Sequence, residues 1–157
     1  MATLILICGL PGSGKTTLAK QLEYSRPALR LCPDEWIASV LADTADAVEL
    51  ERLRTPIESI QWVVAKRALV LGINVILENG FWAQEERTSY RAQAEVLGAL
   101  VELEYLDFDR DELWARLSKR NENLKPGTFF VSEDQLDLWL SWFEPPTPSE
   151  IESYRIA

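Results

Sequence analysis

Residues 9–16 read GLPGSGKT. This stretch fits the phosphate-loop pattern G-x-x-x-x-G-K-[ST] at every fixed position. Its surroundings also fit, because the β-rich apolar run Thr3–Cys8 comes directly before it and a helix predicted over residues 15–24 follows it. A strand, a glycine-rich loop and a helix in this order predict a nucleotide-binding loop at the carboxyl end of a parallel strand.

The loop carries the groups that a magnesium-bound triphosphate needs. Its glycines let the backbone turn its N–H groups inward, and these groups and the helix N-terminus hold phosphate. Lys15 can reach the β- and γ-phosphates, and the Thr16 hydroxyl is the predicted Mg²⁺ ligand. We therefore expect ATP and Mg²⁺ as ligands. The predicted nucleotide-binding residues of the loop are Gly9, Leu10, Pro11, Gly12, Ser13, Gly14, Lys15, Thr16 and Thr17.

Strand and helix patterns alternate along the rest of the chain. Further strands are predicted over residues 29–32, 73–77 and 100–108. Further helices are predicted over residues 34–41, 56–71, 84–97, 111–120 and 132–143, with Pro56 in a first turn and Ser132 and Gln135 in a capping box. The segment 42–55 has no clear pattern. Alternation of this kind predicts a single α/β domain, with a parallel sheet and helices on both faces.

Composition excludes several classes of chemistry. The 157-residue chain contains no histidine, so it cannot form a Ser-His-Asp triad or a His-ligated metal site, and a general base is expected to be a carboxylate. The formal net charge of −9 argues against nucleic acid and anionic membranes as partners. No apolar run is long enough for a membrane span or a secretory signal, so we expect a cytoplasmic protein.

Carboxylates follow the second and third predicted strands, where α/β proteins bind their ligands. Asp34 is the candidate general base, because a carboxylate facing the γ-phosphate can orient an acceptor hydroxyl and take its proton. It could equally cap the helix that begins there. Glu78 could hold Mg²⁺ through water or bind the substrate, or it could be a solvated turn residue. Trp82 is a candidate wall of the acceptor pocket, although aromatic residues beside a sheet often belong to the core.

Three arginines are further candidates. Arg87 could point at the acceptor, or it could form a surface salt bridge. Arg116 and Arg120 lie four residues apart on one helix face, so both could reach over the triphosphate and neutralise charge during transfer. Alternatively, both lie in water on an amphipathic helix. We favour the catalytic role, and Arg120 over Arg116, which makes residues 110–130 a predicted lid.

Five segments of the sequence together resemble one family: GLPGSGKT, RLCPDEW at 30–36, VILENGFW at 75–82, DELWARLSKRN at 111–121 and WFEPPT at 142–147. The chain resembles the small bacterial P-loop kinases of the AAA type, which are related to chloramphenicol phosphotransferase, zeta toxins and polynucleotide kinase. The resemblance implies a three-layer P-loop kinase fold with strand order 2-3-1-4-5. The residues themselves place no clear fifth strand after Phe143, so the proline-rich residues 145–157 could form a short strand or none. It also implies ATP-dependent phosphorylation of a hydroxyl, with Asp34 as general base and Arg120 or Arg116 as the lid arginine. Relatives often carry aspartate where this chain has Glu78.

Three functions remain open from the sequence. The leading hypothesis is a kinase that phosphorylates a hydroxyl of a small molecule. The alternatives are an ATP-binding or ATP-hydrolysing regulator, and a kinase that acts on a nucleic-acid 5′-hydroxyl. The acidic composition and the lack of a basic tract with interleaved aromatic residues argue against the nucleic-acid kinase.

Overall fold

The computed structural model describes residues 1–41, 47–125 and 128–155. These residues form four strands and seven helices. In chain order they are β1 (Thr3–Cys8), α1 (Lys15–Ser25), β2 (Ala28–Leu31), α2 (Pro33–Leu41), α3 (Ala47–Val70), β3 (Asn74–Gly80), α4 (Gln84–Val96), β4 (Leu100–Tyr105), α5 (Arg110–Asn121), α6 (Glu133–Trp142) and α7 (Pro148–Arg155).

The four strands form one parallel sheet in the order β2-β3-β1-β4. The central strand β1 is buried throughout, and its side chains alternate between two cores. Leu4, Leu6 and Cys8 pack with residues of α3, α4 and α7, whereas Ile5 and Ile7 pack with α1. The predicted α/β class is therefore confirmed, with helical layers on both faces of the sheet.

The fifth strand that the resemblance implies is absent from the described residues, so the order 2-3-1-4-5 holds only for its first four members. The chain instead ends in α7, which packs near β4 and places Tyr154 in the core. The sequence explains this difference. Pro145, Pro146 and Pro148 remove N–H groups that a strand would need for its ladder, and Pro148 is the first residue of α7, where proline is favoured.

Two other predictions about elements need correction. Pro56 lies inside α3 and not in its first turn, because this helix already begins at Ala47. Strand β3 continues through Glu78 to Gly80, so Glu78 is a strand residue and not part of the turn. The predicted capping box before α6 is confirmed, since Ser132 and Gln135 exchange both hydrogen bonds. Residues 42–46 of the unassigned segment, and residues 126 and 127 of the predicted lid, lie outside the described residues.

None of the described helices has the length and apolarity that crossing a bilayer requires.

Candidate active site

The loop between β1 and α1 has the backbone shape that its sequence predicts. Gly12 and Gly14 have φ angles of +87° and +91°, which lie in the left-handed region that side chains disfavour. A Cβ on Gly9 would lie 2.5 Å from the Ser13 Oγ, so this position also requires glycine. The Ser13 hydroxyl donates to the Leu10 carbonyl at 2.6 Å and closes the loop on itself. The result is a compact turn that leads directly into α1.

Helix α1 presents its N-terminus at this loop. Gly14 precedes it and supplies no side-chain cap, so the first N–H groups of the helix are left for an anion. Lys15 donates from its Nζ to the Leu10 carbonyl at 3.1 Å. Burial lowers the pKa of Lys15 to about 8, and the nearby charge of Asp34 opposes this shift. Thr17 is exposed in the same first turn.

The predicted Mg²⁺ ligand lies beside the carboxylate of β3. The Thr16 Oγ1 donates to Glu78 Oε1 at 2.7 Å, and Arg30 of β2 donates to Glu78 Oε2 at 2.6 Å. A hydroxyl and a carboxylate are oxygen ligands of the kind that Mg²⁺ prefers, so these residues fit the ion. Sequence reasoning missed Arg30, although a charged residue within the short apolar strand ALRL is the signal that could have identified it.

Asp34 is the second residue of α2, so it is not the residue that caps this helix. Its Oδ1 lies 3.2 Å from the Arg54 Nη2 on α3, and this buried oxygen makes no directed hydrogen bond with the described residues. The charge of Asp34 acts on Lys15 and also on Arg120, where it opposes the lowering of the pKa by burial. The candidate base therefore interacts electrostatically with both predicted phosphate-binding cations.

Helix α5 covers the phosphate loop and brings both candidate arginines to it. Arg120 is half-buried and donates to the Phe129 carbonyl at 3.2 Å, while its Nε is buried without a partner among the described residues. Arg116 is exposed, and its guanidinium lies 4.1 Å from the centre of the Phe108 ring. A Cβ on Gly14 would lie 3.8 Å from the Arg116 Nη1. Arg116 thus lies beside the loop, and the charge of Arg120 acts on Lys15.

Trp82 supports the loop from the end of β3. Its Nε1 donates to the Gly9 carbonyl at 3.2 Å, and its ring packs against Trp139.

Arg87 lies neither at the acceptor side of the loop nor in a surface salt bridge, the two environments predicted for it. It is fully buried, and its guanidinium donates to the Glu150 carboxylate at 2.7 and 3.0 Å and to the Phe81 carbonyl at 2.8 Å. These partners occupy Arg87, so we leave it out of the acceptor site.

Sequence reasoning missed a set of polar residues on α3. Arg54, Glu58 and Gln61 are spaced by four and three residues, so they lie along one face of the helix. Gln61 is completely buried, and both of its amide atoms lack a hydrogen-bond partner among the described residues. Polar residues at helical spacing, where a core face would be apolar, are the signal that could have identified this set.

Asn79, Glu86 and Tyr90 lie next to this face. Asn79 donates from its Nδ2 to the Tyr90 hydroxyl at 3.4 Å, while its Oδ1 is buried without a partner among the described residues. Burial and the charge of Glu86 raise the pKa of Glu58 to about 7. Burial of polar groups without hydrogen bonds is costly, and such groups often mark the place of a ligand.

The chain matches the family AAA_33, described as an AAA domain, over residues 4–146. No curated protein matches the sequence significantly.

Several solved structures share the fold at low sequence identity. A sugar kinase from Janibacter sp. HTCC2649 has a TM-score of 0.67 and 21% identity, over 96% of this chain and 82% of that one. Chaetomium thermophilum Kti12 in complex with ADP-AlF3 has a TM-score of 0.68 and 18% identity, over 93% and 82% of the two chains. A chain of the Pnkp1/Rnl/Hen1 RNA repair complex has a TM-score of 0.71 and 17% identity over 98% of this chain, which spans 45% of that longer one.

Proposed function

We propose that this chain, which belongs to the AAA_33 family of AAA domains, is an ATP-dependent kinase that transfers the γ-phosphate to a hydroxyl group of a small molecule. The observation that carries the proposal is the position of Asp34 at the start of α2, directly after β2, from where its charge acts on both Lys15 and Arg120. A carboxylate in this position can take the proton of an acceptor hydroxyl, whereas nucleotide binding alone does not need a carboxylate. The likeness to a sugar kinase and to an ADP-AlF3 complex supports the proposal at the level of the fold.

In this proposal the phosphate loop and its helix hold the nucleotide. The backbone N–H groups of the loop and the N-terminus of α1 bind the phosphate oxygens, and Lys15 turns from the Leu10 carbonyl to the β- and γ-phosphates. Thr16 would hold Mg²⁺ directly and Glu78 would hold it through water, and the bound ion would neutralise phosphate charge. Arg30 fixes the Glu78 carboxylate for this task.

Transfer requires one proton acceptor and a balance of charge. The acceptor oxygen forms a bond to the γ-phosphorus, the bond from that phosphorus to the bridging oxygen breaks, and ADP leaves. The hydroxyl proton passes to Asp34, whose orientation is set by Arg54 at 3.2 Å. Arg120, with Arg116 beside it, stabilises the charge that develops on the transferred group.

A transfer assay with Asp34→Asn tests this function. The protein is incubated with Mg²⁺, γ-labelled ATP and a pool of metabolites, and mass spectrometry detects the gain of one phosphoryl group. We expect Asp34→Asn to bind Mg-ATP normally by calorimetry and to lose transfer by roughly 10²–10⁴-fold. Asp134→Asn, which changes an exposed aspartate of α6, is the matched control. Lys15→Ala should lose both binding and transfer, and transfer that survives in Asp34→Asn would exclude Asp34 as the base.

A further inference from the structure

A second polar cluster lies beside Asp34, and the transfer step does not use it. We call it the acceptor cluster, and it contains Glu58 and Gln61 of α3, Asn79 of β3, and Glu86 and Tyr90 of α4. Its position follows from the sheet, because side chains alternate along β3. Glu78 turns to Thr16 and the α1 layer, so Asn79 turns to the layer of α3 and α4, where it contacts Tyr90.

Gln61 lies at the same level of the sheet as Asn79. Helix α3 connects to β3 through a short turn and packs back along it, so the two elements run in opposite directions. From Val70 back to Gln61 the helix covers about 14 Å at 1.5 Å per residue. The strand covers a similar distance from Asn74 to Glu78, at about 3.3 Å per residue. Gln61 therefore lies near the carboxyl end of β3, at the end of the sheet where the acceptor must lie.

The two carboxylates of the cluster have no direct ion pair among the described residues, although the charges of Arg54 and Arg87 act on Glu58 and Glu86 from a greater distance. Neither Glu58 nor Glu86 has a hydrogen bond or an ion pair within 4 Å in the described part of the chain, although both are half-buried. Burial raises the pKa of both carboxyl groups, and their mutual repulsion adds to the effect on Glu58. Two partly buried carboxyl groups can be neutralised by protons, and a positive group of a ligand placed between them would stabilise their ionised forms.

The charge balance of the cluster selects among possible acceptors. Arg54 and Arg87 are the cations that act on the two carboxylates, and each already forms an ion pair, with Asp34 at 3.2 Å and with Glu150 at 2.7 Å. Lys15 and Arg120 belong to the phosphate side of the site. An acceptor with a carboxylate or a phosphate would thus meet Glu58 and Glu86 without compensation, whereas an ammonium group would be attracted to both.

Resting on the proposed kinase function, we infer that the acceptor is an amino alcohol or an amino sugar. Its ammonium group lies between Glu58 and Glu86, which directs a neighbouring hydroxyl towards Asp34. The amides of Gln61 and Asn79 bind the remaining hydroxyls or the ammonium N–H groups, so that the unpaired polar atoms of the site gain partners.

Sets of acceptors of similar size, each with a cationic, a neutral and an anionic member, test this inference. The probes are ethanolamine, ethylene glycol and glycolate; serinol, glycerol and glycerate; and glucosamine, glucose and gluconate. Transfer to each probe is measured by mass spectrometry with Mg-ATP bound to the protein. Binding of each probe is measured by calorimetry with Mg-ADP bound. We expect at least one amine to bind about tenfold or more tightly than its neutral and anionic counterparts. Glu58→Gln should remove that preference, and Glu85→Gln, which changes an exposed glutamate of α4, should keep it.

The outcomes separate the inference from the function on which it rests. Preferred transfer to a neutral or anionic probe supports the kinase function and overturns the amine inference. Amine binding that depends on Glu58 but gives no phosphorylated product supports the amine site and contradicts the kinase function. The amine inference is wrong if, at about 10 mM, no amine of the three sets binds or reacts better than its neutral counterpart.

A second readout is the pH dependence of amine affinity. Affinity should rise as pH increases through about 7, because Glu58 then loses its proton while Glu86, Arg54 and Asp34 face it.

Discussion

The ionised carboxylate of Glu58 destabilises the free protein, and the same group is proposed to bind the ammonium group of the acceptor. The Glu58 carboxyl group is half-buried, and it has no cation within ion-pairing distance among the described residues. The folded protein therefore holds the proton of Glu58 more tightly than the unfolded chain does, since its pKa rises from 4.5 to about 7. Below pH 4.5 the group is protonated in both states, and above pH 7 it is ionised in both. The destabilising effect of Glu58 thus develops between these two values and is complete above pH 7.

Glu58→Gln should stabilise the free protein in a pH-dependent way. Glutamine resembles the protonated acid, so the variant and the natural protein should have similar unfolding free energies near pH 4.5. At pH 8 the variant should be more stable by about 1–2 kcal/mol, a figure reduced for the partial exposure of the group. Urea denaturation at several pH values measures the difference. A constant difference, or one shared by Glu85→Gln, would show that the Glu58 carboxylate is well solvated.

At the scale of elements, α5 and the phosphate loop depend on each other for their positions. A Cβ on Gly12 would lie 2.8 Å from the Cγ of Leu117 and 3.3 Å from the carbonyl oxygen of Leu113. Both leucines are buried in the cluster that joins α5, α6 and the loop residue Leu10. The absence of a side chain at Gly12 therefore lets the helix that carries Arg116 and Arg120 approach the phosphates closely.

Gly12→Ala should weaken both the fold and nucleotide binding. Gly98 supplies the matched control, because its φ of +81° is similar to the +87° of Gly12 and a Cβ there would meet no atom within 4 Å. We expect Gly98→Ala to lose about 1–2 kcal/mol of stability from backbone strain and to bind Mg-ATP normally. Gly12→Ala should lose about 1–3 kcal/mol more, since it also overpacks the helix contact. Calorimetry with Mg-ATP should show a loss of affinity in Gly12→Ala, and equal affinities would contradict the close packing of α5 on the loop.

Elements governed by local chemistry could be predicted from the sequence. Strand β1 was predicted with its observed bounds, because a fully apolar run before a glycine-rich loop has few alternatives. The phosphate loop and the start of α1 followed from the same pattern. The capping box at Ser132 was also identified, since both of its members lie within four residues. Each of these signals is contained in a short stretch of chain.

Features that depend on distant contacts could not be predicted. Asn79 of β3 contacts Tyr90 of α4, and Gln61 of α3 lies at the same level of the sheet, which only the packing of the three elements shows. The buried state of Arg87 depends on Glu150, which lies 63 residues later in the chain. Pro56 was placed at a helix start because proline favours first turns, but the residues before it extend the helix to Ala47.

At the scale of the whole molecule, α7 packs on one face of the sheet near β4, and the described residues add no fifth strand. Two arginines of α4 hold it there. Arg87 pairs with Glu150, and Arg91 stacks on the Tyr154 ring at 4.5 Å and donates to Ser153. Arg87 also donates to the carbonyl of Phe81, whose φ of +48° lies in the left-handed region. The C-terminal helix is thereby linked to the strained turn that follows β3.

Glu150→Gln should therefore destabilise the whole domain and not only its last helix. The side chains of Arg87 and Glu150 are 1% and 9% exposed, so removal of the carboxylate leaves a buried guanidinium whose described partner is the Phe81 carbonyl. Loss of one member of a buried ion pair costs about 3–5 kcal/mol. Glu152→Gln on the same helix is the control, because its pair with Arg155 is long and exposed and should contribute about 0.5 kcal/mol or less. Urea denaturation followed by both tryptophan fluorescence and circular dichroism should show one cooperative transition at lower urea for Glu150→Gln. Equal midpoints for the two variants would mean that α7 is not part of the cooperative core.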